Sequence, residues 1–411
     1  MALTDRRIGP RPAAEPAGDL DAGRGAAGVP PAEALVDAVR ALGPRIRAAS
    51  ADIERDRRLP PWLVVAMKET GIFRMTLPRA WGGPEIDLLT GIRAIEELSY
   101  ADGSVGWCAM IGSDGGFWSS FLEDAVGREL YRDLDAVTGS STRPSGRAVA
   151  VAGGFRVGGR WTFGSGCQHS TWMVSACVVH DADRPRVGPD GAPEVRLCYL
   201  PIEDCAILDT WTTTGLRGTG SHDYTAEDVF VPAERTFNQF TSPVRRPEPL
   251  YALRTAYTAN GIAVPLGIAR AAVDALLALA EGKLTRRGTG LRDEAFVQTA
   301  VARADALVCA ARAYVFDVVG EVWGALVRGD ELPPALRARY RLSLAAACQM
   351  CVDAVDLMYQ AGGGSSPYAA HPLDKHFRDV HTAQQHMMFS PKVYEAAGRL
   401  LLGLDPGLPG Y

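Results

Sequence analysis

Residues 210–232 read TWTTTGLRGTGSHDYTAEDVFVP, a glycine-rich run followed by a stretch in which polar and apolar residues alternate. The run over residues 215–221 places backbone amides, hydroxyls and the Arg217 guanidinium close together, which suits a cradle for a flat polar ligand. A glycine-rich segment between two strands is also an ordinary turn, so the run alone leaves both interpretations open. The alternating stretch after it predicts a β-strand.

The sequence on either side of this run divides into segments of different pattern. Helical spacing of apolar residues over 33–135 predicts a helical N-terminal domain, and short alternating runs over 136–245 predict a central antiparallel β-domain. Four long periodic segments within 246–411 predict a C-terminal four-helix bundle. Residues 1–32 have almost no large apolar side chains and are predicted to form a disordered tail. The predicted fold class is α+β, mainly α.

Composition excludes several classes of function. Hydrophobic residues make up 47% of the 411 residues and charged residues 22%, which is typical of a soluble globular protein. The formal net charge of -5 argues against nucleic acid as a partner. No stretch approaches about 20 uncharged apolar residues, so we expect no membrane span and a cytoplasmic location. The cysteine pair Cys348-x-x-Cys351 lies in a helical pattern, which favours packing over metal binding, and no metal is assigned.

Two further features of the C-terminal half are candidates for function. Three glycines and two serines at 362–366 interrupt a helical pattern, and such a loop can approach a phosphate or simply connect two helices. Four histidines follow at intervals of five, which turns successive side chains to different helix faces and disfavours a metal cluster: His371, His376, His381 and His386. His386 precedes an apolar run, so we expect a partly desolvated imidazole that holds a proton near neutral pH.

Taken together, these segments resemble the acyl-CoA dehydrogenase superfamily over residues 33–403. The marks that carry the resemblance are GLRGT at 215–219 leading to DVFVP at 228–232, and Gln360-x-x-Gly363-Gly364 followed by Arg378-Asp379. The resemblance implies a helical N-terminal domain, a central β-domain and a C-terminal four-helix bundle. It also implies a homotetramer that binds flavin at the contacts between subunits.

One branch of the superfamily fits the C-terminal sequence better than the dehydrogenases do. The dehydrogenases carry a catalytic glutamate about nine residues beyond the Arg-Asp pair, where this chain reads His386-Met387-Met388-Phe389. A histidine at that place is similar to the group D flavin monooxygenases, which include the oxygenase components of 4-hydroxyphenylacetate hydroxylase and of the secosteroid phenol hydroxylase. The runs GSVGW at 103–107 and Phe163-x-Ser165-Gly166 resemble that branch as well.

This resemblance implies the oxygenase component of a two-component flavin-dependent monooxygenase. Such an enzyme takes reduced FMN, or FAD, and hydroxylates an aromatic, phenolic or polyketide-type molecule through a flavin C4a-hydroperoxide. Residues 154–166 lie in a β-ribbon context and do not form a nicotinamide-binding fingerprint, so a separate NAD(P)H:flavin reductase is expected. The alternatives are N- or S-oxygenation by the same chemistry, an acyl-CoA dehydrogenase with a relocated base, and a flavin-binding protein without catalysis.

The resemblance also implies roles for individual residues. It gives His386 and Ser165 catalytic roles, with Ser165 near the flavin N5 atom and His386 acting on the substrate or on oxygen transfer. The cofactor-binding residues that it implies are Phe163, Ser165, Arg217, Thr219, Arg287, Gly363 and Ser365. On the substrate side it implies Trp107, Ser113 and Asp114. Related hydroxylases often carry a further histidine after the Gly-Trp pair, which is missing here. Ser113 or Asp114 replaces its contact, or the substrate binds differently.

Overall fold

The computed structural model describes residues 32–188 and 191–407, and the predicted tail at 1–32 therefore lies almost wholly outside the described residues. The N-terminal part is helical, with α1 at Ala32–Asp56, α2 at Pro61–Thr70, α3 at Leu88–Ala101, α4 at Gly103–Gly112, α5 at Gly115–Ser119 and α6 at Asp124–Leu130. Aspartates cap two of these helices. Asp87 accepts a hydrogen bond from the Thr90 amide at the start of α3, and Asp102 accepts from the Ser104 and Val105 amides at the start of α4.

The central part is a single twisted sheet. Its strands are β1 at Thr138–Val151, β2 at Gly154–Gly164, β3 at Trp172–Asp181, β4 at Arg184–Pro185, β5 at Val195–Pro201, β6 at Cys205–Leu208, β7 at His222–Pro232 and β8 at Thr236–Phe237. The strand order is β6-β7-β2-β1-β3-β5-β8, and β4 pairs with β3.

The prediction of a purely antiparallel β-domain is wrong for one strand pair. β1 and β3 run parallel, with Thr138 opposite Trp172, whereas the other pairs are antiparallel. The reason is the connection after β2, which crosses the end of β1 and places β3 on the opposite edge of β1. Local alternation of apolar residues cannot reveal such a crossover. The connection carries Ser165, so the mixed sheet brings a predicted site residue to the end that faces the N-terminal helices.

The C-terminal part contains the predicted bundle. Its helices are α7 at Pro249–Ala252, α8 at Thr258–Gly261, α9 at Ala263–Gly282, α10 at Ala295–Arg328, α11 at Pro334–Gly362, α12 at Pro372–Gln384 and α13 at Pro391–Leu401. The four predicted segments correspond to α9, α10, α11 and the pair α12 and α13. The bundle shares one hydrophobic core with the N-terminal helices. A Cβ atom at Gly267 in α9 would lie 2.5 Å from the Glu96 carbonyl oxygen in α3, so glycine permits this close packing.

Two helical segments are long and apolar enough to span a membrane by length and composition alone. They are Thr258–Gly282 and Pro334–Ser365, and 67% and 56% of their most apolar windows are buried inside the fold. We expected no membrane span from the sequence because we looked for uncharged stretches, whereas the criterion used here allows up to two charged residues in 18. Buried core helices have the same composition, so these two segments are weak evidence for a membrane span.

A largely buried lysine between two buried aspartates connects the three parts of the chain. Lys375 in α12 forms an ion pair with Asp379 on the same helix and lies 3.2 Å from Asp102 at the start of α4. The second carboxylate oxygen of Asp379 accepts a hydrogen bond from the Leu216 amide at 2.6 Å, and Ser50 in α1 donates to Asp102. Burial alone would lower the pKa of Lys375, but the two carboxylates raise it above its ordinary value.

We therefore predict that Lys375→Met destabilises the protein by about 3–5 kcal/mol, because it leaves two buried carboxylates without their cation. Lys392→Met is the matched control, since Lys392 lies exposed in α13. Urea unfolding of both variants measures the difference in the free energy of unfolding. Equal stabilities would contradict the role of Lys375 in joining the helices to the central loop.

Candidate active site

Ser165 lies at the centre of a chain of hydrogen bonds between the central sheet and α4. Trp107 Nε1 donates to Ser165 Oγ at 3.0 Å, and Ser165 Oγ lies 2.7 Å from Ser221 Oγ. Ser221 Oγ lies 2.7 Å from Thr219 Oγ1, which donates to the Leu216 carbonyl at 2.8 Å. We call these residues the hydroxyl chain. Ser221 belongs to the glycine-rich run at 215–221 but was not singled out from the sequence.

The Leu216 carbonyl at one end of the hydroxyl chain determines which hydroxyl donates and which accepts in each hydrogen bond. A hydroxyl has one hydrogen to donate, and that of Thr219 goes to the Leu216 carbonyl. Ser221 therefore donates to Thr219, and Ser165 donates to Ser221. Because Ser165 Oγ also accepts from Trp107, its remaining lone pair is the part of the hydroxyl left for a ligand. Ser165 is thus oriented to accept a hydrogen bond from an N–H group.

Phe163 lies two residues before Ser165 and presents its ring at the surface. Its φ of 59° is left-handed, which is strained for an aromatic residue and is typically found where function requires it. The side chain is 64% exposed and meets Trp211 edge-on, with ring centroids 6.1 Å apart. An exposed ring next to a buried hydroxyl is the arrangement that a flat heteroaromatic ligand would need.

The GLRGT segment at 215–219 is held tightly against the helices. A Cβ atom at Gly215 would lie 2.0 Å from the Arg378 carbonyl oxygen, and one at Gly218 would lie 2.1 Å from Ile53 in α1. Side chains at these two positions would push the loop away from its neighbours. The glycines therefore serve close packing of the loop, in addition to any contact of its amides with a ligand.

Arg217 and Thr219 hold this segment in place with their side chains. The Arg217 guanidinium donates to the Glu54 carbonyl at 3.3 Å and to the Thr213 carbonyl at 3.0 Å. The Thr219 hydroxyl is part of the hydroxyl chain. The resemblance implies that both residues line a flavin edge, and in this structure both are hydrogen-bonded to the protein.

His386 follows α12 and packs against Trp107. Its Nδ1 accepts a hydrogen bond from the Met388 amide at 3.3 Å, and the two rings meet edge-on with centroids 5.5 Å apart. Burial lowers the pKa of His386 to about 4, and the positive charge of Arg341 acts in the same direction. The expectation of a proton held near neutral pH is therefore wrong. The imidazole is neutral, and because Nδ1 accepts, the ring hydrogen is assigned to Nε2.

Trp107 is the residue that brings the two predicted catalytic residues together. It donates to Ser165 through its indole nitrogen and meets His386 with its ring. It is buried on α4, where the cap at Asp102 fixes the start of the helix. The sequence predicted all three side chains for the site, and the structure places them side by side.

The remaining predicted cofactor-binding residues, Arg287, Gly363 and Ser365, lie on the C-terminal bundle. Gly363 follows the last residue of α11 with a φ of 54°, and Ser365 lies in the same short turn. Lys283, which the sequence did not single out, donates to the Gly362 carbonyl at 2.6 Å and ties the end of α9 to this turn. Arg287 lies exposed in the loop after α9. Within residues 32–188 and 191–407, no hydrogen bond joins this group to the hydroxyl chain.

The two residues proposed to replace the missing histidine have different surroundings. Ser113 Oγ donates to the Met110 carbonyl at 3.0 Å, and the Ser113 carbonyl accepts from the Thr76 hydroxyl, so its polar groups are used within the protein. Asp114 is buried, and burial raises the pKa of its carboxyl well above the usual range. In the part of the chain that the structure describes, no group of three or more His, Cys, Asp or Glu side chains is placed to hold a metal ion.

Comparison with known proteins identifies relatives over almost the whole chain. The family model of the acyl-CoA dehydrogenase N-terminal domain matches residues 30–122, and that of the C-terminal domain matches 261–391. An indole-3-acetate monooxygenase from Pseudomonas putida is 32% identical over 93% of this chain and 95% of its own length. The oxygenase subunit HsaA of a flavin-dependent monooxygenase from Rhodococcus jostii is 31% identical over 86% of this chain and 94% of its own.

A solved structure is also similar to this chain over most of its length. XiaF from Streptomyces sp., in complex with FADH2 and glycerol, superimposes with a TM-score of 0.84. It is 26% identical, and the match covers 92% of this chain and 97% of XiaF. The similarity therefore extends through the helical parts and the central sheet together.

The neutral state of His386 generates a prediction about stability. The unfolded imidazole has a pKa near 6.5 and the folded one about 4, so between these values the unfolded state binds more protons. The contribution of His386 to stability is complete above about pH 6.5 and falls as the pH drops towards 4. In His386→Asn, the loss of unfolding free energy between pH 6.5 and 4 should be smaller than in the unaltered chain. Urea unfolding across this range measures both, and identical slopes would contradict a partly buried, neutral histidine.

Proposed function

The chain belongs to the acyl-CoA dehydrogenase family, and from that premise we propose that it is the oxygenase component of a two-component flavin-dependent monooxygenase. It hydroxylates an aromatic small molecule, with reduced flavin and dioxygen as co-substrates. The observation that carries this assignment is the contact of Trp107 with both Ser165 and His386. The Ser165 hydroxyl and the neutral His386 imidazole thus lie beside the same indole ring.

The dehydrogenase alternative lacks its base. Proton abstraction next to a thioester needs a carboxylate over the flavin, and residues 386–389 contain a histidine, two methionines and a phenylalanine. A histidine whose pKa is lowered to about 4 is also a weak base. N- or S-oxygenation uses the same machinery, but relatives with names such as indole-3-acetate monooxygenase favour an aromatic substrate.

The residues of the site fit a reduced flavin. Reduced flavin, when bound, supplies the electrons that activate dioxygen. Its N5 carries a hydrogen, and Ser165 has a lone pair oriented to accept one. The exposed ring of Phe163 can stack on a flat ring system. FMN and FAD share this ring system, so these two residues do not choose between them.

Each side chain then has a limited task. Ser165, which Trp107 holds in place from α4, would accept a hydrogen bond from a bound flavin. His386 carries its hydrogen on Nε2 in the present arrangement, so it donates a hydrogen bond to a substrate oxygen or to the oxygen being transferred. The buried side chains of Trp107 and Met388 exclude water, which strengthens both hydrogen bonds.

Three further parts of the proposal rest on the sequence and the relatives. A separate NAD(P)H:flavin reductase would supply the flavin, since residues 154–166 form no nicotinamide fingerprint and the relative from Rhodococcus jostii is named an oxygenase subunit. A homotetramer would bring Arg287, Gly363 and Ser365 of one subunit to the flavin of another. A cytoplasmic location, where reductase and flavin are available, completes the proposal.

Oxygen consumption with externally reduced flavin tests the proposed function. We predict hydroxylated product from at least one member of a panel of phenols and indoles when an unrelated reductase supplies reduced FMN or FAD. The chain with NADH and oxidised flavin alone should give no product. Acyl-CoA thioesters should not bleach bound oxidised flavin. Bleaching would favour the dehydrogenase, and products oxidised only at nitrogen or sulfur would favour the alternative oxygenase.

Substitutions of Ser165 and of His386, the two residues that contact Trp107, should impair different steps of the reaction. Ser165→Ala removes one hydrogen bond to the flavin, so we expect more hydrogen peroxide and less product per flavin oxidised, by about five- to 100-fold in the partition ratio. His386→Asn should still consume reduced flavin and oxygen but lose hydroxylation by about 100-fold or more. Product and peroxide are measured in the same reaction.

Neighbouring residues provide the controls. Ser170→Ala removes a hydroxyl that bonds the Gly166 carbonyl in the same turn as Ser165, and it should leave the partition ratio nearly unchanged. Gln385→Ala alters the exposed neighbour of His386. If His386→Asn hydroxylates as well as Gln385→Ala, His386 is a packing residue and has no part in oxygen transfer.

A further inference from the structure

His222 is a buried histidine at the start of β7 whose ring binds a loop outside the sheet. The residue is 3% exposed. Its Nδ1 accepts hydrogen bonds from the backbone amides of Thr210, at 3.2 Å, and of Trp211, at 3.1 Å. A ring nitrogen that accepts two amides carries no hydrogen, so the ring hydrogen is assigned to Nε2. The imidazole is therefore neutral while it binds this loop.

The loop that His222 binds, residues 209–214, has no regular secondary structure and is mostly exposed. Within residues 32–188 and 191–407, the Trp211 amide has His222 as its one hydrogen-bond acceptor. Two further bonds fix the rest of Trp211. Its carbonyl accepts from the Arg57 guanidinium at 3.1 Å, and its indole nitrogen donates to the Leu216 carbonyl at 3.0 Å. Trp211 is thus held at three points, and His222 provides one of them.

The same histidine lies beside an irregularity in β2 that carries Phe163. Trp161 pairs with Tyr224. The next pair is Gly164 with His222, so two residues of β2 stand opposite one residue of β7. This is a β-bulge, a feature that redirects side chains and is common next to active sites. The left-handed backbone of Phe163 lies inside the bulge, and His222 belongs to the pair that closes it.

Phe163 and Trp211 therefore depend on His222 from two sides. Its backbone closes the bulge that carries Phe163, and its side chain holds the backbone of Trp211. The two aromatic rings meet edge-on, with centroids 6.1 Å apart. An exposed ring loses conformational entropy when a ligand orders it. A neighbouring ring that is already fixed reduces this loss, because it restricts the exposed ring before the ligand binds.

On the premise of the flavin site proposed above, we propose that His222 is a positioning residue for flavin binding. It holds Trp211 against Phe163, so that the Phe163 ring is in place to stack on the flavin. The His222 side chain is itself buried, so it acts through Trp211 and forms no part of the stacking surface.

The charged groups around His222 are consistent with a neutral ring. Burial lowers the pKa of His222, against the opposing effect of Asp209, whose carboxylate lies 3.6 Å from Nδ1. Arg57 lowers this pKa as well, and Asp223 on β7 raises it. The form of the ring that the two amide bonds require is thus the form that the surroundings favour at pH 7.

Two substitutions of equal size separate the acceptor from the packing. In His222→Asn the side-chain oxygen takes the place of Nδ1 and can accept the amides, whereas His222→Leu provides no acceptor. Anaerobic calorimetric titration with chemically reduced FMN, repeated with reduced FAD, measures the dissociation constants. We expect binding to weaken by about three- to tenfold in His222→Leu, the value of one aromatic contact, and by less than about twofold in His222→Asn.

His180→Leu is the matched control, since His180 is a partly buried histidine of β3 whose Nδ1 lies 3.0 Å from the Val178 carbonyl. It should leave flavin affinity unchanged. A double substitution then tests whether His222 acts through Trp211. Once Trp211→Leu has removed the ring, adding His222→Leu should weaken binding by less than about twofold more. Full additivity of the two effects would overturn the proposal.

Amide hydrogen exchange of residues 209–214 in the flavin-free chain measures the loop directly. Exchange should be about fivefold faster or more in His222→Leu, and close to that of the unaltered chain in His222→Asn. Unchanged flavin affinity in His222→Leu would overturn this proposal alone. Equal weakening in both variants would overturn it too, and would assign His222 to packing.

Failure of the proposed function gives a different result, because the unaltered chain would then bind neither flavin. That outcome would overturn the positioning role together with the flavin site. If His222→Leu does not fold, His222→Val provides the variant without an acceptor, since a β-branched residue suits a strand.

Discussion

The pairing of Lys375 with Asp102 and Asp379 is the interaction on which the site depends. A lysine in a largely buried position is tolerated only with compensating charge. Here the compensation comes from one carboxylate on its own helix and from Asp102, which caps α4. The same two carboxylates also bind backbone amides. Asp102 caps α4, and Asp379 holds the amide of Leu216. One cation thereby fixes the relative positions of α4, α12 and the loop at 215–219.

Both ends of the hydroxyl chain are attached to this network. It begins at the carbonyl of Leu216, the residue whose amide donates to Asp379. It ends at Trp107, on the helix that Asp102 caps. Ser165 in the middle is therefore positioned by groups outside the sheet that carries it. A hydroxyl positioned from two sides has one remaining direction for a ligand, and this direction is what an acceptor for a flavin N–H requires.

Burial determines the protonation state of His386, on the other side of Trp107 from Ser165. His386 packs against Trp107, and desolvation keeps its imidazole uncharged at neutral pH. A neutral imidazole can donate a hydrogen bond to an oxygen atom without attracting a counterion. This suits an aromatic substrate, which has little charge to offer and whose oxygenation needs a dry site.

The sequence by itself determined the order of helical, β and helical segments, because the periodicity of apolar residues is a local property. It also gave the marks of the family and the side chains Trp107, Ser165 and His386. Tertiary structure alone decided that β1 and β3 run parallel, that α3 and α9 share a core, and that His386 is neutral. It also decided that Asp114, and not Ser113, has an unsatisfied oxygen. Strand direction, desolvation and hydrogen-bond partners depend on residues far apart in the chain, and no local pattern encodes them.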